Sequence, residues 1–488
     1  MRQRWKMDKW EPTKKVPIIG MVLVIVMVWL ASCTNEKVKV EQLLPLEEGK
    51  YVMNIEAPIE HQVYQRDLNN KATISFKIQV ESDIAGKVEA RAITEGESSD
   101  WQTIGDINGT TFEGVIVGVS IGQHRLDIRV RSDQTLAAKS VEPILVGDLW
   151  VLAGQSNMQG WGKLIDMEEP QVGISLYSRE GDQWSQAVEP LGWTEGAMNW
   201  EAPRGAGLGI PFAKEVMSHT NVPIGLIMSA VGGSTMLDWD PARLETEPQS
   251  LYGDMIRKIR ELGGSVKGVL WYQGESEANT EADIYLERMK TFVTQLRKDV
   301  GDSKLPFIYA QLSVYHTFDE GGKLWNRIQR DQLELESLIE HAAMVPTIDA
   351  TLSDPVHLDA ASLKRVGQRM AWRAIDMAYG MENAQSGPRP DTYIWNEERT
   401  ELLITFKGIN GKLAPINHAY GFQVTLGSDK VPFTALLTED RMGVKLQFES
   451  PTSENDLLIL WHGAGFNPVV NVKDEMGIPL VVFGPVAI

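Results

Sequence analysis

From Val146 to about Gly380 the chain alternates short apolar runs with longer stretches of helical periodicity, and few architectures accept that pattern. Strands are expected at 149–153, 224–229, 266–271, 306–312 and 344–349. Helices are expected near 206–218, 251–262, 282–299, 323–340 and 360–379. Runs such as Leu149-Trp150-Val151-Leu152-Ala153 have no polar face, as a strand covered on both sides requires. Helices that cross over between such strands give a parallel sheet with helices on both faces, an α/β fold in three layers. The last helix is bounded at both ends, with Asp359 as an N-cap and Gly380 as a stop. Open sheets of this kind bind ligands beyond the carboxyl ends of their strands.

The segments on either side differ in character. Residues 73–80 alternate apolar and polar at period two, as do residues 124–130 in part, and Asn108-Gly109 between them is a hairpin signal. Residues 51–146 therefore read as a β-sandwich. After Ser386-Gly387-Pro388 helical periodicity stops, and the runs Leu402-Leu403-Ile404-Thr405-Phe406 and Leu457-Leu458-Ile459-Leu460-Trp461 read as strands of a second β domain, residues 386–488. The α/β part between them spans 147–385. A chain of 488 residues with 43% hydrophobic and 23% charged residues has ordinary globular composition and room for several such units.

The N-terminus carries a different signal. Arg2, Arg4, Lys6, Lys9, Lys14 and Lys15 make a basic start, and residues 18–30 are apolar apart from Gly20. That run is short for a membrane span and suits the core of a signal peptide. It ends Leu30-Ala31-Ser32-Cys33, which resembles the bacterial lipoprotein signal. Residues 1–33 would form that signal, with Cys33 lipidated, and residues 34–50 a polar tether. The chain would then be anchored in the bacterial cell envelope, periplasmic or outer-membrane, through the lipid. Cys33 is the only cysteine, so no intramolecular disulfide is available and the core must hold the fold.

Charge excludes one class of partner. The formal net charge is -19, and the first 33 residues hold six basic and two acidic side chains, which leaves -23 on the remainder. A surface this acidic is not a nucleic-acid binder. An anionic small substrate would need a local basic group; Arg204 is the candidate, and a solvated loop arginine is its ordinary alternative. Gly205-Ala206-Gly207-Leu208-Gly209 follows no strand-like run and lacks dinucleotide-binding spacing. Eight histidines are scattered without close pairing, so neither a cofactor nor a metal is expected.

Three separated blocks carry the chemistry. Ala153-Gly154-Gln155-Ser156-Asn157-Met158 places a serine directly after a buried strand. Trp271-Tyr272-Gln273-Gly274-Glu275-Ser276-Glu277 ends another strand with a side-chain amide, and Asp354-Pro355-Val356-His357 supplies an acid and an imidazole three residues apart. Serine is a poor nucleophile until a base takes its proton and a third group orients that base. The G-x-S-x-G elbow of α/β-hydrolases fails here at its last position. Each residue also has a plain structural reading: Ser156 as a turn or N-cap residue, His357 as a satisfied histidine, Asp354 as a helix cap, Gln273 as a buried amide. Only their joint occurrence favours catalysis. Ser234 and Ser276 lack the surrounding motif. Glu275 and Glu277 could suggest a carboxylate pair, but they read better as acids at the start of the helix around 284–296.

The blocks GQSNM, WYQGES and D-x-x-H, with the glycine pair Gly232-Gly233, resemble the sialate O-acetylesterase-like branch of the SGNH hydrolases, related to carbohydrate esterase family six. The resemblance covers roughly residues 140–380 through these motifs. The segments Ala464-Gly465-Phe466-Asn467-Pro468 and Gly477-Ile478-Pro479-Leu480 extend it more loosely to the C-terminus. It implies a flavodoxin-like hydrolase domain with accessory β domains. It also implies Ser156 as nucleophile, His357 as general base and acid, and Asp354 as orienter. The oxyanion hole would be formed by the Ser156 N–H, a glycine N–H and the Gln273 amide, with Gly233 favoured over Gly232. The implied substrate is an O-acetylated carbohydrate, a sialic acid first; acetylated xylan or another polysaccharide is an alternative, and a non-catalytic glycan-binding lipoprotein is the rival from another class.

Overall fold

A computed structural model describes residues 46–488 except 95–96, 193–202, 280, 317–321 and 416. The signal peptide, Cys33 and most of the tether lie outside the described residues. The first long strands are β1 (Lys71–Thr94), β2 (Gln102–Ser120), β3 (Gly122–Arg131) and β4 (Thr135–Gly154). β1 pairs antiparallel with β2 and β3, and β3 pairs antiparallel with β4. Their alternation buries Ile74, Phe76, Ile78, Ile116, Leu126, Ile128 and Ile144 in one apolar cluster. The expected hairpin at Asn108-Gly109 is absent. Both residues lie inside β2, opposite Ala85 and Ile84, where the pairing slips register after Gln79. Pairing on both sides of the dipeptide overrides its local turn preference, and the irregularity is taken up as a bulge.

β4 joins this layer to the α/β layer without a break. It pairs with β3 up to Val146. From Asp148 onward it runs parallel to β6 (Ile224–Met228) and then to β7 (Gly268–Tyr272). With β5 (Ile174–Tyr177), β8 (Phe307–Ala310) and β9 (Ala342–Val345), the parallel order is β5-β6-β4-β7-β8-β9. The chain thus leaves the middle of the sheet, fills one side with β5 and β6, then crosses to β7. That reversal makes a topological switch point at the carboxyl end of β4, flanked by the loops after β6 and β7.

The helices α1 (Ser156–Gln159), α2 (Gly209–Thr220), α3 (Leu251–Glu261), α4 (Tyr285–Val300), α5 (Lys323–Leu338) and α6 (Ala360–Tyr379) lie within a few residues of expectation, α1 excepted. α2 packs on α6, while α3, α4 and α5 pack in series. Asp359 caps α6 by accepting the Ser362 N–H at 2.8 Å, and Gly380 ends it in the left-handed region. The sheet and these helices share one core of Trp150, Leu152, Leu226, Leu270, Trp271, Phe292 and Ile308, all fully buried.

Beyond α6 the described chain forms two four-stranded antiparallel sheets. They are tied to the α/β layer by apolar packing, as of Phe466 on Tyr315 and Trp325, and by buried polar contacts. The Gln311 side chain exchanges two hydrogen bonds with the Val482 backbone, and Asn326 bonds to Gly463 and Gly465. Arg389 clasps Glu336 and the Met344 carbonyl.

Candidate active site

The site begins where β4 stops. Gly154 has a φ of +124°, and a Cβ there would lie 2.3 Å from the Tyr272 carbonyl oxygen. Only glycine permits both the turn and the close approach of β7. The Gln155 N–H still pairs with Tyr272 O at 2.8 Å, and Ser156 then opens α1. Gln155, not Ser156, is the N-cap residue, so the plain capping role for Ser156 does not apply. The first N–H groups of a helix have no partner within it, and the Ser156 N–H is one of these.

The loop between β9 and α6 brings the other two members. His357 Nε2 lies 2.9 Å from Ser156 Oγ, and His357 Nδ1 lies 2.7 Å from Asp354 Oδ2. Asp354 Oδ1 accepts the N–H groups of Val356 and His357 at 2.9 and 2.8 Å. Burial alone would raise the Asp354 carboxyl, but the His357 bond and the two backbone N–H groups outweigh it and hold the group well below the usual carboxylate range. An ionised Asp354 fixes the proton on Nδ1 and leaves the Nε2 lone pair facing the serine. The Trp161 indole stacks on the imidazole, with centroids 5.1 Å apart and planes 21° apart.

Arg204 is not a solvated loop arginine. It is 3% exposed, and its Nη1 contacts Asp354 Oδ2 at 2.9 Å, Ser353 Oγ at 2.9 Å and Trp161 O at 3.0 Å. The guanidinium expected to face an anionic substrate is turned instead onto the acid of the triad.

The loop after β6 supplies the glycine pair. The Gly232 N–H donates to Gln159 Oε1 at 2.8 Å, whereas Gly233 has a φ of +73° and open space where a Cβ would stand. The Gly232 N–H is thus already engaged, which leaves Gly233 as the oxyanion-donor candidate of the two. Gln273 departs from expectation. It is 0% exposed, and its Nε2 bonds to the Glu277 carboxylate and to Ser234 O. The reason is Glu277, a buried carboxylate that takes donors from Gln273 and the Met236 N–H.

Glu275 and Glu277 do not open α4, which starts only at Tyr285; Glu277 instead opens a single 3-10 turn, Glu277–Asn279. Glu275 accepts from Asn157 Nδ2 at 2.7 Å, and burial pushes its carboxyl up to about 7 against that hydrogen bond. Asn157 also donates to Val356 O and accepts the Leu358 N–H, which fastens the serine turn to the histidine loop. Ser234 is occupied by Gly154 O and the Trp239 indole N–H. Asn157, Gln159 and Trp161 were not singled out from sequence. The signal was the set of amides at 155, 157 and 159 around one serine, directly after a wholly apolar strand.

The comparisons with known proteins bear on this geometry. Residues 146–376 match the family model described as carbohydrate esterase, sialic acid-specific acetylesterase. A probable carbohydrate esterase of Arabidopsis thaliana is 28% identical, covering 47% of this chain and 90% of its own. Mouse sialate O-acetylesterase is 23% identical, covering 70% and 76% respectively. In fold, the chain is similar to a carbohydrate acetylesterase from Xanthomonas citri, with a TM-score of 0.62 at 21% identity, covering 87% of this chain and 97% of that one. Residues 146–376 are thus similar to the sialic acid-specific acetylesterases among carbohydrate esterases, and the chain is a carboxylic ester hydrolase.

Proposed function

We propose that this enzyme removes O-acetyl groups from sugars, sialic acids first, through an acyl-enzyme on Ser156. The observation that carries the reading is the unbroken path from Ser156 Oγ through His357 to Asp354, at 2.9 and 2.7 Å. His357 Nε2 takes the serine proton as Oγ attacks the acetyl carbonyl. The oxyanion forms against the Ser156 and Gly233 N–H groups, where each donor is worth about 10²–10³ in turnover. The imidazolium then protonates the departing sugar oxygen, and His357 activates the water that releases acetate. Asp354 stays ionised throughout and Arg204 braces it.

The same reading takes residues 51–146 and 386–488 as β domains flanking an SGNH-type domain. It takes Cys33 as a lipid anchor in the bacterial envelope. Labelling with a palmitate analogue tests the anchor: label lost on Cys33→Ala supports it, and retained label refutes it. Substrate class is tested by acetate release from O-acetylated sialic acids, acetylated xylan and an aryl acetate. Preference for the sialic acids is expected; preference for xylan would move the enzyme to the polysaccharide branch. Folded protein inert on all three would favour the glycan-binding reading.

A further inference from the structure

Gln159 lies three residues beyond the nucleophile, is buried, and has no role in the chemistry described above. Its carbonyl oxygen accepts two hydrogen bonds. One comes from the Gly232 N–H at 2.8 Å and one from the Trp161 indole N–H at 3.1 Å. The first partner is the second residue of a β-turn closed by Ser234 N–H to Val231 O at 3.3 Å. Gly233 occupies the third position of that turn, and its φ of +73° is the value a type II turn takes there. Types I and II differ mainly by a flip of the central peptide, the one that carries the Gly233 N–H. Whether that N–H faces the reacting carbonyl is thus set by the turn type. The second partner is the ring that stacks on His357. A Cβ on Gly232 would lie 3.5 Å from both Ser156 Cβ and Trp161 Nε1, so turn, indole and nucleophile are immediate neighbours.

We propose that Gln159 is a positioning residue that, through one oxygen, holds the oxyanion-donating peptide of Gly233 in register with the imidazole of His357. An amide suits this task because it accepts two donors without placing a charge beside the forming oxyanion. The inference rests on the esterase reading. Misplacement of a donor by a fraction of an ångström weakens stabilisation of the transition state more than binding of the substrate.

The test is steady-state kinetics on an aryl acetate with the full chain and three variants: Gln159→Met, which keeps the volume and removes the acceptor, Trp161→Phe, which keeps a ring and removes the donor, and the double variant. Gln159→Met is expected to lower kcat about 10- to 100-fold, with KM within about twofold. Trp161→Phe is expected to lower kcat less. The double variant should be no worse than Gln159→Met, because both act through the same oxygen. An unchanged kcat in folded Gln159→Met, a loss confined to KM, or multiplied losses in the double variant would each overturn the proposal. Should Gln159→Met fail to fold, Trp161→Phe decides alone: a reduced kcat at constant KM supports the coupling, and an unchanged kcat refutes it. Wild type inert on every acetate would instead remove the esterase reading.

Discussion

Glu275 shows how much one buried group adds to this site. In an unfolded chain a glutamate titrates near 4.3. Here burial raises it to about 7, opposed by the Asn157 hydrogen bond. Between those values the native state keeps a proton that the unfolded state has lost, so stability falls as pH rises through that window and is level above it. Glu275→Gln should therefore raise the thermal midpoint relative to wild type by more at pH 8 than at pH 5; an equal difference at both would contradict the burial. At this scale the triad was legible, because Ser156, Asp354 and His357 sit in motifs with one chemical use. Gln273 was not, since its engagement depends on Glu277 and Met236, which only the folded turn brings alongside. From sequence Arg204 reads as a solvated or substrate-facing side chain, because nothing near it announces Asp354 as its partner.

Among the elements, the junction of β4 and α1 matters most. Gly154 pairs with Tyr272, and the Ser156 turn follows immediately. Gly154→Ala would force a Cβ against the Tyr272 carbonyl at a φ that alanine rarely adopts. It should cost roughly 1–3 kcal/mol or more in urea unfolding and depress activity together with stability. Wild-type stability with full activity would show that β4 and β7 can part there without moving Ser156. Strands 149–153, 224–229 and 266–271 were legible because the buried parts, Leu149–Ala153, Ile224–Met228 and Gly268–Tyr272, carry almost no polar residues. β5, only Ile174–Tyr177, was too short to stand out, and β2 hid behind the turn signal at Asn108-Gly109.

Over the whole molecule, the sequence suggested a boundary near 146, yet β4 crosses it as one continuous strand. Its residues belong first to the antiparallel layer and then to the parallel one, so the two cores share backbone hydrogen bonds. The C-terminal sheets are attached through Gln311, Asn326 and Arg389. Calorimetry should accordingly give one cooperative transition for the described chain. Two separated transitions would mean that these joints are weaker than the geometry implies. These polar joints, and the apolar contacts beside them such as Val314 and Ile348 with Val482, join residues far apart in sequence, which is why the attachment was not foreseen.

The central claim is that Ser156 carries the acetyl group in turnover. Rapid quenching of the enzyme with an aryl acetate, followed by peptide mass mapping, tests it directly. One acetyl group is expected on Ser156, with neither acetylation nor acetate release in folded Ser156→Ala. Undiminished acetate release by that variant would contradict it.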